Sequence, residues 1–192
     1  MTSIKENLFC KAIKCRVCEN ILPYPPNPIF QAQANTPLCL IGQAPGMKAH
    51  NTSKAWNDAS GDRLRSWLKM DKNTFYDSSK LAILPMSFCY PGKGKQGDLP
   101  PIKACAPLWH SQLLAMINPK VTLLVGKYAQ DYYLQDKLNL TNRLQHWQHY
   151  LPNFIVLPHP SPRNNIWLSK NVWFEQRVLP AIQGYLLNID WR

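Results

Sequence analysis

Leu38-Cys39-Leu40-Ile41-Gly42-Gln43-Ala44-Pro45-Gly46 is the stretch on which the fold turns. Its first four residues are a continuous apolar run, and a run without polar alternation suits a strand covered on both faces. Three more runs share that character: Leu81–Leu84, Val121–Val125 and Phe154–Leu157. Helical patterns lie between them. Asp62–Leu68 puts Leu64, Trp67 and Leu68 on one face, with Gly61 and Asp62 at its start as the cap. Ala104–Ile117 repeats the spacing with Leu108, Trp109, Gln112, Leu113 and Met116. Tyr128–Leu134 reads as a third helix, and Phe174–Leu187 as a fourth, kinked or interrupted at Pro180. Strands alternating with helices imply a parallel sheet in a three-layer α/β/α domain.

The 192 residues suffice for one domain with a substantial core. The reading is a single domain over 1–192, with 1–37 a Cys-containing, Pro-rich N-terminal segment packed on it. Pro23, Pro25, Pro26, Pro28 and Pro37 make Ile21–Pro37 run extended over the surface. No apolar run is long enough to cross a bilayer, and the N-terminus lacks the apolar core of a secretion signal, so a cytoplasmic protein is expected. Twenty-two Lys and Arg against eleven Asp and Glu point to a polyanionic partner, whose counterions such a chain releases on binding.

In open parallel sheets, ligands bind beyond the carboxyl ends of the strands. That rule selects three loops: Gly42–Gly46, Pro85–Pro91 and Pro158–Asn165. In the first, two Gly and a Pro make a tight turn that lets a ligand approach main-chain N–H groups. In the last, His159-Pro160-Ser161-Pro162-Arg163-Asn164 is a loop stiffened by two Pro. It presents a potential proton donor and a cation together, as charge growing on a leaving group requires. Six Cys in a cytoplasmic protein should not be disulfides. Cys15-Arg16-Val17-Cys18 lies before any strand, so it reads as half of a metal site rather than a redox pair. Cys39 sits in an apolar run and reads as core.

The pair GQAPG and HPSPRN, in this order and separated by most of an α/β domain, resembles motifs 1 and 2 of the uracil-DNA glycosylase superfamily. The first is similar to the GEAPG loop of its family-4 members, the second to the HPSPRN loop of its single-strand-selective branch. The likeness spans roughly residues 15–180. Family-4 members hold a 4Fe–4S cluster with a CxxC and a later Cys pair having fifteen residues between them. Cys15, Cys18, Cys89 and Cys105 match that spacing. Four thiolates also suit a tetrahedral Zn, the alternative here. The chemistry itself needs no cofactor.

The resemblance implies a four-stranded parallel sheet between helices and a target nucleotide rotated out of the DNA stack into a pocket. His159 would donate a hydrogen bond to the base oxygen as negative charge grows there. Arg163 would fill the gap in the stack or hold flanking phosphates, with Ser161 and Asn164 beside it. Main-chain groups of Gly42, Gln43, Ala44, Pro45 and Gly46 would line the pocket. Ala55-Trp56-Asn57-Asp58-Ala59-Ser60-Gly61 is similar to the family-4 segment PFVGxAG, which puts Trp56 where an aromatic stacks on the flipped base.

The chain departs from the family in three places. Motif 1 often carries an acid that orients the attacking water, yet Gln43 and Ala44 occupy those positions; Gln holds a water but accepts no proton. His50 and Asp58 are the nearby substitutes. Where family-4 members read uracil with an Asn, this chain has Pro85, and Ser87 is left to replace part of that contact. Uracil is therefore the default substrate, with hypoxanthine, xanthine and oxidised pyrimidines open. Finally, Tyr90–Asp98 departs from the family's RPPxNR wording and reads as a mobile basic loop whose Lys93 and Lys95 contact phosphate.

The sequence thus points to a monomeric DNA glycosylase of base-excision repair, a hydrolase acting on DNA that carries a damaged or deaminated base, with no obligate protein partner. Two alternatives stand beside it. One is a damaged-DNA or single-strand-binding protein that kept the scaffold and lost the chemistry; the other is an electron-transfer or zinc protein whose function lies in its cysteines.

Overall fold

The computed structural model describes residues 2–95 and 97–189. The four apolar runs become β1 (Leu38–Ile41), β2 (Leu81–Ile83), β5 (Val121–Val125) and β6 (Phe154–Leu157), with a short hairpin, β3 (Lys93–Gly94) and β4 (Gly97–Asp98), between the second and third. The four pair in one parallel sheet of order β2-β1-β5-β6. β2 closes a residue earlier than expected. The Leu84 N–H still reaches the Leu40 carbonyl at 2.8 Å, but Pro85 brings no N–H to continue the ladder.

Continuous apolar runs are explained by two covered faces. Leu38 and Leu40 join a cluster containing Leu64, Trp67, Phe174 and Ile182, whereas Cys39 and Ile41 join another containing Phe88, Leu113, Ile117 and Ala129. On the first face lie α3 (Ala59–Leu68) and α9 (Leu179–Leu187), bridged by Gln183 Nε2 donating to the Trp67 carbonyl at 2.8 Å. On the second lie α5 (Cys105–Ile117) and α6 (Lys127–Leu134), with α1 (Thr2–Ile13) packed through the fully buried Ala12. The result is the three-layer α/β/α architecture.

The expected start of α3 needs correction. Its cap is Asp58, whose Oδ1 accepts the Gly61 N–H at 2.9 Å, while Asp62 lies inside the helix and pairs with Arg65 at 2.6 Å. The small Ser60 and Gly61 let the first turn pack down at once, so the helix begins a turn before its large apolar residues. The last helical run is interrupted as expected: a π-helical turn at Phe174–Val178 precedes α9, whose first turn holds Pro180. Four helices were not read from sequence: α2 (Met47–Thr52), α4 (Lys72–Phe75), α7 (Leu140–Gln145) and α8 (Asn165–Lys170). Each is too short to display a full apolar period.

The Pro-rich segment is extended and also protects the sheet. Gln31 bridges antiparallel to Ile83 through two backbone hydrogen bonds of 2.7 and 2.9 Å, and its Nε2 donates to the Leu81 carbonyl. It therefore covers the outer edge of β2. No helix among the described residues is long and apolar enough to cross a membrane. Because every main strand is parallel, the loops after β1, β2 and β6 leave the same end. The sheet changes direction beside β1, the position at which such folds open a crevice.

Candidate active site

At that end lies a cavity of about 600 Å³, a size suited to a small-molecule or nucleotide ligand. The loop after β1 forms one wall, tied to the loop after β2 by Met86 N–H to Gly42 O (2.9 Å) and Ser87 N–H to Gln43 O (3.3 Å). The loop after β6 forms the facing wall. The cavity brings together Gly42, Gln43, Ala44, Pro45, Gly46, Trp56, Asp58, Pro85, His159, Ser161, Arg163 and Asn164, so segments far apart in sequence meet.

His159 is braced by its own loop. Its Nδ1 accepts the Ser161 N–H at 3.3 Å, which leaves the ring proton on Nε2. Asn164 Nδ2 donates to the His159 carbonyl at 2.6 Å, and the Ser161 hydroxyl accepts the Arg163 N–H at 3.2 Å. Burial holds the imidazole pKa below its ordinary value; Asp58 opposes that shift and Arg163 adds to it. A neutral ring with a fixed Nε2–H is a hydrogen-bond donor that does not titrate away near neutral pH.

Trp56 faces His159, with ring centroids 5.5 Å apart at 33°. Its backbone is left-handed, with φ 54°, and is held by contacts to its carbonyl: Arg65 Nη1 donates at 3.1 Å and Tyr76 O–H at 3.2 Å. Arg65 is itself buried. The indole Cζ2 would stand 2.7 Å from a Cβ at Gly42. Motif 1 therefore has no room there for any side chain, and glycine is what lets the indole close over it.

Four nominated residues fall outside the cavity lining. His50 packs at a tilt against both Tyr24 (5.3 Å) and Tyr90 (6.1 Å), and its Nδ1 is buried with no hydrogen-bond partner among the described residues. Ser87 is buried, with its hydroxyl donating to the Cys89 carbonyl at 3.3 Å, and faces the cysteines instead. Lys93 and Lys95 are exposed on the β3–β4 hairpin. Tyr90–Asp98, read as a mobile loop, is closed by the pairing of Lys93 with Asp98 and Gly94 with Gly97. Asp98 and Lys48, which sequence reasoning did not nominate, do line the cavity. The only sequence signal for Asp98 was its place at the end of a Gly-rich stretch, which reads equally well as loop.

A second, smaller cavity is lined by Cys15, Cys18, Cys89 and Cys105 with Leu22, Pro26, Pro28, Phe88 and Ile102. Its wall is nearly all apolar, and burial pushes the Cys89 thiol up to about 11 and Cys105 up to about 12. Thiols so disfavoured as anions are stabilised when a cation binds and deprotonates them. Four soft donors without a competing carboxylate are the donor type that a thiolate-bound metal centre uses. Among the described residues no three His, Cys, Asp or Glu are gathered as a site for a single metal ion. Cys39 is fully buried in the core, where desolvation raises its pKa, and Cys10 is exposed.

The match with known proteins covers the same architecture. The family model of the Uracil DNA glycosylase superfamily matches residues 29–183, from the Pro-rich edge segment to α9. The chain belongs to that superfamily.

Proposed function

We infer that the protein is a monofunctional DNA glycosylase of base-excision repair, hydrolysing the N-glycosidic bond of uracil or a related deaminated or damaged base in DNA. The observation that carries this reading is His159: half-buried, neutral, its proton fixed on Nε2, and packed at a tilt beside the Trp56 ring in the lining of one pocket. A flipped base is held against the indole face. As the bond to the sugar breaks, negative charge collects on the base and His159 donates to its oxygen. Arg163 at the mouth pairs with phosphate, and the net charge of +11 draws the duplex or single strand in. The substrate edge that family-4 members read with an amide meets only the ring of Pro85. The Pro85 carbonyl is turned away, accepting from His110 Nε2 at 3.0 Å. Uracil is the default, and a base less dependent on that contact is an equal fit to this wall.

Cys15, Cys18, Cys89 and Cys105 would hold a 4Fe–4S cluster, with Zn the alternative. Its contribution is structural: it would tie the N-terminal segment to the β2 loop and to the start of α5, and no catalytic step passes through it. The absence of an acid at Gln43 and Ala44 supports a second reading, a DNA-binding protein that lost the chemistry. A base-release assay across uracil, hypoxanthine, xanthine and oxidised bases, in single and double strands, separates the two. Free base from any substrate supports the glycosylase; intact DNA throughout, with salt-sensitive binding, supports the binding protein.

A further inference from the structure

We propose that Asp98, delivered from the β3–β4 hairpin, is the catalytic carboxylate that motif 1 lacks, orienting the attacking water at the mouth of the pocket; the inference rests on the glycosylase reading above. Asp58 and Asp98 are the carboxylates among the residues that line the cavity. Asp58 is committed elsewhere, since its Oδ1 caps α3 through the Gly61 N–H and its charge acts on His159.

Asp98 is differently placed. Its Oδ1 accepts the Tyr90 hydroxyl proton at 3.3 Å, which fixes the carboxylate plane. Its Oδ2 sits beside the end of motif 1, 3.2 Å from where a Cβ on Gly46 would be, and has no hydrogen-bond partner among the described residues. The backbone is held as well, by the pairing with Lys93 and by Leu99 N–H to Gly92 O at 2.8 Å. An unengaged carboxylate oxygen on a braced strand accepts a water and its proton.

Its position on the cavity lining fits that role. Asp98 lines the same cavity as Pro85, Trp56 and His159, is itself exposed to solvent, and follows Gly97, against which the exposed Arg163 guanidinium rests. In this assignment a base held beside Trp56 and His159 leaves its sugar towards Asp98. The C1′–N bond breaks with its electron pair on the base, and the water oxygen forms the new C1′–O bond. The water's proton passes to Asp98 and on to solvent, and the base anion, hydrogen-bonded by His159, is reprotonated from solvent. A carboxylate at this point also faces the positive charge that develops on the sugar.

The test is single-turnover base release by full-length wild-type protein, Asp98→Asn and Asp98→Glu, on an oligonucleotide whose base the wild type removes. DNA affinity is measured in parallel. We expect Asp98→Asn to lose about 100-fold in the release rate while binding DNA at least as tightly, because a negative charge leaves the mouth. Asp98→Glu should recover most of that rate. Undiminished release by Asp98→Asn, or equal losses of rate and affinity with no rescue by Glu, overturns the assignment alone. No release by the wild type on any substrate overturns the glycosylase reading and this inference with it.

Discussion

The guanidinium of Arg163 lies on the backbone of Gly97, occupying the space that a β-carbon there would need. Motif 2 and the hairpin thus meet across the mouth of the pocket. Gly97 also has φ 125°, a conformation that side chains rarely adopt. Gly97→Ala is therefore expected to expel Arg163 and to strain the hairpin by about 1–3 kcal/mol. DNA affinity measured against salt should weaken, and Arg163→Ala should lower the slope of log K on log salt by about one. A Gly97→Ala protein with unchanged affinity and stability would show that the contact does not matter.

Motif 2 should carry most of the rate. His159→Ala removes the Nε2–H donor while leaving the pocket walls, and a loss of about 100- to 1000-fold in base release is expected. His159→Gln retains an N–H and should lose less. The comparison is made under single-turnover conditions so that product release does not mask it.

Acid should destabilise the fold through buried imidazoles. His110 is 1% exposed, donates from Nε2 to Pro85 O, accepts the Tyr133 hydroxyl at Nδ1 (2.6 Å), and is held at about 4 by desolvation. The unfolded chain takes up this proton first. The contribution is thus fully present above the ordinary histidine pKa of about 6.5, and up to roughly 3 kcal/mol is lost as pH falls towards 4. His159 is shifted in the same direction. Urea unfolding at pH 7 and pH 4.5 measures the effect, and His110→Gln should flatten much of it.

Metal content discriminates among states of the cysteine cavity. An iron–sulfur centre gives a brown protein with broad visible absorption that Cys89→Ser abolishes, together with a lower unfolding midpoint. One zinc per chain in a colourless protein supports the alternative, and neither metal means that the thiols stay free.

Much of this was legible beforehand because it depends on local composition. The apolar runs at Leu38, Val121 and Phe154 carried their own boundaries, since a strand buried on both faces has no room for polar residues. The turn loops announced themselves by Gly and Pro. Short helices such as α2 and α8 did not, and Asp58 and Asp62 exchanged the cap because either is chemically able to be one. His50 looked close to the site because it is close in sequence, but the direction of α2 carries it to Tyr24 and Tyr90.

By itself, the sequence determined the parallel α/β/α sheet and singled out the two loops and the four cysteines. The sheet follows from the hydrophobic pattern within each run, whereas the loops and cysteines were marked by residue type, spacing and likeness to the family, and their meeting in two cavities is tertiary. Only the tertiary structure decided which proton His159 holds, that Pro85 turns its carbonyl to His110, and that Asp98 rather than His50 lines the pocket. The last two depend on partners tens of residues away, whose directions are set by packing, and the first on the backbone turn that brings the Ser161 N–H back to the His159 ring.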